Sequence, residues 1–326
     1  MVKVSVLVAA YNAEPWIGQC LRSLREQTLR DIEIVCVDDA STDSTWNLLK
    51  KAAQEDPRII TLHQEVNGGQ AKARNRALQV AKGQYICMVD SDDWLDEDAL
   101  QAAAEVLDRY EDTDSVLFQV DEVDGEHVRR YPMPDFEAMT GQEAFEASLT
   151  WQIHGLYMIR EGIHRRFPYD DSSRAYSDDN TTRIHFLHSR MVRQCQGVYH
   201  YRQHAASVTH SVSVRRFDYL RANESMKRQM EEAGVCERLM RRYEQVRWLN
   251  LIDTYMFYHH HRNALDASAR DYGLSEMRRV WSDIRTSWLP WSLRLKPGYM
   301  PLHPCWWAFR WQEEAYFSLR KWLKGS

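Results

Sequence analysis

Along the first 120 residues, short apolar runs alternate with amphipathic stretches. Val4 to Val8, Ile32 to Val37, Ile59 to Leu62 and Tyr85 to Val89 are rich in Val and Ile and are bounded by polar or turn residues. They read as buried strands. Between them, apolar positions recur at helical spacing: Trp16, Ile17, Cys20, Leu21 and Leu24, then Leu48, Leu49, Ala52 and Ala53, then Ala73, Ala77, Val80 and Ala81. The order βαβαβαβ predicts parallel strands joined by right-handed helical crossovers, with functional loops at the strand C-termini. A helix over Asp96 to Tyr110 and a strand over Ser115 to Val120 extend the sheet. Residues 121–150 turn acidic and irregular, and Pro132 and Pro134 break any helix there. Residues 151–210 mix short strand-like and helical patches, and 215–326 are helix-rich and aromatic. The expected organisation is an α/β domain over 1–214, in halves 1–120 and 121–214, followed by a helical region over 215–326.

The polar residues at the strand ends carry the chemistry. Asp90-Ser91-Asp92-Asp93 follows the Tyr85 to Val89 strand directly and precedes Trp94. In an extended segment residues i and i+2 share a face, so Asp90 and Asp92 can turn toward one ligand. Hard carboxylate oxygens suit Mg²⁺ or Mn²⁺; alternatively, Asp92 or Asp93 N-caps a helix beginning near Leu95. Ala9-Ala10-Tyr11-Asn12 ends the first strand and Asp38 to Asp43 follows the second. An Asp there can accept a hydrogen bond from a nucleotide base, although Asp39 and Asp43 also suit loop and N-cap roles. Asn67-Gly68-Gly69-Gln70 opens a helix with Lys72, Arg74 and Arg76 in its first turns. Cations oppose the macrodipole at that end, which points to a bound anion or else to a solvated basic face.

Composition narrows the classes. A formal charge of −5 over 326 residues gives no overall pull toward nucleic acid. Six cysteines form no C-x-x-C pair, and those at 20, 36 and 87 fall inside apolar patterns, as expected of reduced thiols. The MVKVSVLVAA start runs straight into a strand, and no apolar stretch reaches bilayer length. The expectation is a cytoplasmic protein. His200 and His204 lack a carboxylate or Cys at zinc-like spacing, and the adjacent His259, His260 and His261 point in different directions on a helix.

Taken together, VSVLVAAYNAEPWIGQCLRSLREQT, VDDASTDST, NGGQAKARNRALQVAKGQY and MVDSDDW resemble, in order and spacing, the inverting glycosyltransferases of family 2 with the GT-A fold. The resemblance implies a Rossmann-like, mostly parallel sheet flanked by helices, with 1–120 as the nucleotide-sugar half and 121–214 as the acceptor half. It implies that Asp39 contacts the base, that Ala10, Tyr11 and Asn12 line the base and ribose pocket, and that Asp90 lies near the ribose. Asp92, with Asp90, would hold Mn²⁺ or Mg²⁺ at the diphosphate. Asp93 would lie near the donor sugar or acceptor, and Arg74 would support the donor pocket. The family usually supplies its catalytic base as an acidic pair ahead of a helix. Tyr176-Ser177-Asp178-Asp179-Asn180 resembles that segment, with Asp179 at the base position and Asp178 in place of the more usual Glu. Tyr199 to Thr209 resembles the family's closing strand and following loop, where Arg202 or His204 meets diphosphate oxygens.

The implied activity is transfer of a hexose or N-acetylhexosamine from a nucleotide sugar, a UDP-sugar above others, to a hydroxyl of a growing envelope glycan, free or lipid-linked. The contrasting reading is a non-catalytic nucleotide-sugar-binding partner in a glycan assembly complex. A nicotinamide dehydrogenase lacks its G-x-G-x-x-G here, and AAYNAEP stands where a sugar nucleotidyltransferase needs a Gly-rich basic loop. From Trp281 onward lie seven of the twelve tryptophans, among seven cations and three acids. That mixture suits peripheral contact of 281–326 with the inner membrane face, or packing on the catalytic domain or a second subunit.

Overall fold

In β1 (Val4–Ala10) six of seven residues are buried, and in β2 (Ile32–Asp38) all seven are. Burial on both faces is what parallel strands covered by helices require. The computed structural model describes residues 1–172, 178–204, 212–303 and 305–324. The chain divides into two units, Met1–Ala205 and Ala206–Ser326.

In the first unit β1 and β2 alternate with α1 (Ile17–Arg25) and α2 (Thr45–Glu55), then β3 (Ile59–His63), α3 (Gln70–Val80) and β4 (Tyr85–Met88). There follow β5 (Trp94–Leu95), α4 (Ala99–Arg109), β6 (Thr113–Asp124), β7 (His127–Arg130), β8 (Ala138–Thr140), α5 (Gly141–Ser148), β9 (Tyr157–Arg160), α6 (Glu161–Arg166), α7 (Asp178–His188) and β10 (Met191–Arg202). The sheet order is β3-β2-β1-β4-β9-β6-β10-β5, with β7 on β6 and β8 on β10. Strands β3, β2, β1 and β4 are mutually parallel. Beyond them the sheet is mixed: β9 runs antiparallel to β4 and β6, while β10 runs parallel to β6. One side of the core packs Ile17, Leu21 and Leu24 of α1 and Leu100, Ala103 and Leu107 of α4 against Val4, Val6, Cys87 and Phe118. At Gly83, just before β4, an added Cβ would lie 2.3 Å from Ser5 N, so only glycine lets the chain pass β1 there.

The stretch read as irregular contains β7, β8 and α5. Pro132 and Pro134 occupy the connection between β7 and β8, and α5 opens on a capping box in which Thr140 and Glu143 exchange hydrogen bonds.

The second unit is helical: α8 (Asp218–Glu232), α9 (Glu237–His261), α10 (Ala267–Asp283), α11 (Trp291–Arg294) and α12 (Trp306–Lys324). Trp248, Tyr255, Trp281, Trp306 and Phe309 share its core. The Trp248 and Trp281 indoles donate to the carbonyls of Tyr299 and Pro301. The C-terminal tryptophans thus divide. Trp281 and Trp306 are core residues, whereas Trp307, Trp311 and Trp322 stand at least 70% exposed along one side of α12. Among the described residues no helix is long and apolar enough to cross a membrane.

Candidate active site

Parallel register brings the strand ends together. Ala10 pairs with Asp38 and Leu7 with Met88, so the residues after β1, β2 and β4 emerge at one edge of the sheet. Asn12 and Ala40 turn the chain there with φ of 49° and 60°, a region non-glycine residues enter at a cost. The turns are locked together: Asn12 N donates to Ser41 Oγ, and Thr42 N donates to Asn12 Oδ1 at 2.8 Å. Ala10 is buried beneath them, and Tyr11 is 45% exposed at the rim.

Asp39 is 3% exposed. Its carboxylate accepts from Gln64 Nε2 (2.5 Å), Gly68 N (2.7 Å) and Gly69 N (2.8 Å). The protein's own Asp39 thus places a carboxylate at the start of α3, on the amides of Gly68 and Gly69. A carboxylate has about four lone-pair sites, which leaves Asp39 room for one more donor.

The acidic loop after β4 is held at both ends. Asp93, 1% exposed, accepts from Tyr199 Oη at 2.7 Å and from Arg202 N at 2.8 Å, so both of its oxygens are committed to β10. Tyr199 Oη in turn accepts from Asp90 N. The two-residue β5, absent from the sequence reading, pairs with Tyr199 and His200 and completes the clamp. Burial, and then repulsion from Asp90 and Asp92, pushes the Asp93 carboxyl well above the usual carboxylate range. Arg202 donates from Nε to Asp92 O and from Nη2 to Gln19 Oε1, with its guanidinium over Trp94. Asp92 Oδ2 lies 2.8 Å from His204 Nε2, and the His204 ring stacks on Trp16 at 4.3 Å.

Arg74 joins the two halves of this unit. It is 1% exposed, donates to Asp90 Oδ1 at 2.6 Å and reaches Asp178 Oδ2 at 3.4 Å. Gln70 Nε2 also donates to Asp90 Oδ1. Burial works against the Arg74 charge, but Asp90 and Asp178 outweigh it and raise its pKa. Beside Asp178 at the start of α7, Asp179 is shifted from 3.8 to about 7, first by burial and then by the Asp178 charge, against the pull of Arg183 and Arg74. Tyr176 and Ser177, and the loop from Ala205 to Thr209, lie outside the described residues. The structure thus gathers Asp90, Asp92, Asp93, Arg74, Arg202, His204 and Asp178 around one loop, with Asp179 next in the chain and Asp39 and Asn12 on the neighbouring strand ends. Sequence reading missed Gln70, Tyr199 and the pairing of Trp16 with His204. Only the alternation of Tyr199 and Tyr201 along a strand hinted at the buried tyrosine.

Divalent-metal chemistry can be tested on the donor set. Asp90 Oδ2 and Asp92 Oδ1 make no hydrogen bond among the described residues. No group of three or more His, Cys, Asp or Glu side chains suited to a metal occurs among those residues. A pair of free hard oxygens fits Mg²⁺-like binding, in which one or two carboxylates share the ion with substrate phosphates and water.

The acidic D-x-D loop follows β4 at the sheet edge where the ends of β1 and β2 also lie, the arrangement that the resemblance to GT-A glycosyltransferases implies. The profile of glycosyl transferase family 2 matches residues 5–168, half of the chain, and the chain belongs to that family. It is 29% identical over 218 residues to glycosyltransferase GlyG of Streptococcus pneumoniae, spanning 63% of this chain and 72% of GlyG. It is 32% identical over 219 residues to the uncharacterized glycosyltransferase EpsJ of Bacillus subtilis, covering 63% of this chain and 62% of EpsJ. Staphylococcus aureus TarS, a poly(ribitol-phosphate) β-N-acetylglucosaminyltransferase, is 35% identical over 130 residues, 39% of this chain and 22% of TarS. The crystal structure of TarS residues 1–349 with UDP-GlcNAc superposes with a TM-score of 0.75 at 21% identity, over 96% of this chain and 91% of that one.

Proposed function

We propose that this chain transfers a hexose or N-acetylhexosamine from a UDP-sugar to a hydroxyl of a cell-envelope glycan, with inversion at the anomeric carbon. The observation that carries the reading is Arg74, a buried cation spanning Asp90 of the D-x-D loop and Asp178 of the acidic pair. It ties the donor end of the site to the acidic pair. TarS, crystallised with UDP-GlcNAc and named as a poly(ribitol-phosphate) β-N-acetylglucosaminyltransferase, supports a UDP-sugar donor and a cell-envelope polymer as acceptor.

In this reading Asp39 takes a base N–H as its fourth donor, while Asn12 and Tyr11 flank the base and ribose. Asp92 and Asp90 would hold Mn²⁺ or Mg²⁺ through their free oxygens, and the ion would supply electrostatic stabilisation of the leaving diphosphate. His204 and Arg202 fix the Asp92 side of the loop. Asp93 acts as a positioning residue, since both its oxygens serve β10. Asp179 accepts the proton of the attacking hydroxyl, and a pKa of about 7 suits a general base at neutral pH. A single in-line displacement inverts the sugar carbon. Exposed Trp307, Trp311 and Trp322 on α12, beside Arg310, Arg320 and Lys321, support peripheral contact with an anionic membrane face.

Calorimetric titration of UDP with Mn²⁺ and with EDTA, on the native chain and on Asp92→Ala and Asp179→Asn, tests the reading. Metal-dependent UDP binding lost in Asp92→Ala, and binding kept without transfer in Asp179→Asn, are expected. Equal UDP binding in EDTA removes the metal role; an active Asp179→Asn removes the base.

A further inference from the structure

A second feature beside the acidic pair has no part in the mechanism above. Helix α5 ends in a Schellman motif: Trp151 N donates to Ser148 O and Gln152 N to Ala147 O. The residue at its left-handed position is normally glycine; here it is Trp151, with φ of 56°. A bulky aromatic held in that conformation is strained, and such strain collects at ligand clamps. Tyr131 Oη fixes the turn by donating to Trp151 O at 2.7 Å. The partly exposed indole lies 4.8 Å from the guanidinium of Arg183, one helical turn beyond Asp179 on α7.

Arg183 is itself unusual. It is 3% exposed, yet among the described residues it makes no hydrogen bond or ion pair, and its Nε is sealed from water without a partner. The other buried guanidiniums among the described residues are paired, Arg74 with Asp90 and Arg247 with Glu244. A buried, unpaired cation is costly, and its five N–H donors suit an anion bidentately. Trp151 is only partly buried, so part of its indole beyond the contact with Arg183 is open for a sugar ring to pack on.

We propose that Trp151 and Arg183 form an acceptor subsite for a phosphate-bearing sugar. The indole packs on the ring, and the guanidinium takes phosphate oxygens near the hydroxyl that Asp179 deprotonates. This rests on the glycosyl-transfer reading and deepens it by assigning the charge class of the acceptor.

The test is calorimetry on the full chain with UDP and Mn²⁺ saturating, so that the donor's diphosphate position is filled. N-acetylglucosamine, N-acetylglucosamine 1-phosphate and glycerol 3-phosphate are titrated in turn. The sugar phosphate is expected to bind about tenfold more tightly than the neutral sugar, the size of one charge-assisted contact. Arg183→Gln erases that difference, and Arg183→Lys retains part of it. Trp151→Gly weakens both sugars, leaves glycerol phosphate unchanged and does not lower the Tm, because glycine relaxes the turn. No phosphate preference in the native chain, a preference that survives Arg183→Gln, or a Tm lowered by Trp151→Gly overturns the subsite. UDP affinity lost in Arg183→Gln also overturns it, because Arg183 then serves the donor. UDP that fails to bind the native chain at all overturns the transferase reading beneath it.

Discussion

If Asp179 is the base, the pH profile of transfer reports its environment, and two neighbours must move that profile in opposite directions. Only the ionised carboxylate accepts a proton. With a pKa of about 7, roughly one-tenth of Asp179 is ionised one pH unit below that value and roughly nine-tenths one unit above. The rate should therefore rise about tenfold per pH unit on the acid side and level off above about pH 8. Asp178 raises the Asp179 pKa and Arg183 lowers it. Asp178→Asn thus carries the acid limb to lower pH and Arg183→Gln carries it to higher pH, each by about one unit if each charge contributes about 1.4 kcal/mol. The assay is UDP release at saturating donor and acceptor, read as kcat against pH in the three proteins. Stability gives an independent readout. A carboxyl whose folded pKa lies above its unfolded value binds its proton more tightly when folded, so stability declines as pH rises from about 4 to about 7 and stays lower beyond. Asp179→Asn should then be more stable than the native chain at about pH 8, with the gain absent near pH 4. A flat kcat profile, or both variants shifting the limb the same way, refutes the assignment.

Other expectations concern the frame around the site. Tyr199→Phe leaves the buried Asp93 Oδ2 without its donor and frees the Asp90 amide; a loss of about 1–3 kcal/mol should appear as a lower Tm together with weaker UDP binding, and an unchanged Tm would remove the clamp role. Gly83→Ala places a Cβ 2.3 Å from Ser5 N, and the backbone shift this demands should destabilise by about 3 kcal/mol, read in urea unfolding; a loss under about 0.5 kcal/mol would contradict the close approach. Trp307→Ser with Trp311→Ser should reduce co-sedimentation with phosphatidylglycerol vesicles while leaving UDP binding intact, and undiminished sedimentation would take the membrane role from α12.

The sheet's first half was legible because each strand there is a local apolar run and each crossover an amphipathic helix. Both are nearest-neighbour patterns. The acidic loop was legible for the same reason, as four consecutive residues after a strand. What escaped was long-range. Asp93 finds Tyr199 106 residues away and Arg74 finds Asp178 104 residues away, and one sequence carries no signal for such pairs. On α3, Arg74 finds partners in Asp90 and Asp178 that are distant in sequence, and Asp39 accepts from the amides at the helix start. Strand β5 is too short to show a period. Helix α5 was a different kind of miss, since Thr140-Gly141-Gln142-Glu143 is a readable capping box that the two nearby prolines overshadowed.

Departures from local rule gather in the same place, which bears on how the first unit works. Among the described residues, three of the four non-glycine residues in the left-handed region, Asn12, Ala40 and Trp151, belong to the turns after β1, β2 and α5. Asp90, Asp93 and Asp179 are carboxyls whose burial disfavours their charge, and Arg183 is a buried cation with no hydrogen bond or ion pair among the described residues. Each lowers stability in the unliganded chain, and local conflicts of this kind mark functional sites. They are not equivalent, however. The cost at Asp93 is met from inside by Tyr199 and Arg202 N, and its role is to hold the loop. At Asp179 and Arg183 no hydrogen bond does this among the described residues, and Arg183 and Arg74 ease the Asp179 charge only across space. On the proposed reading, the proton of the acceptor hydroxyl relieves the first and an acceptor anion the second. By that distinction the frame of the D-x-D loop is held from within, with free oxygens of Asp90 and Asp92 left for the proposed ion, whereas on the same reading the start of α7 is completed by its acceptor.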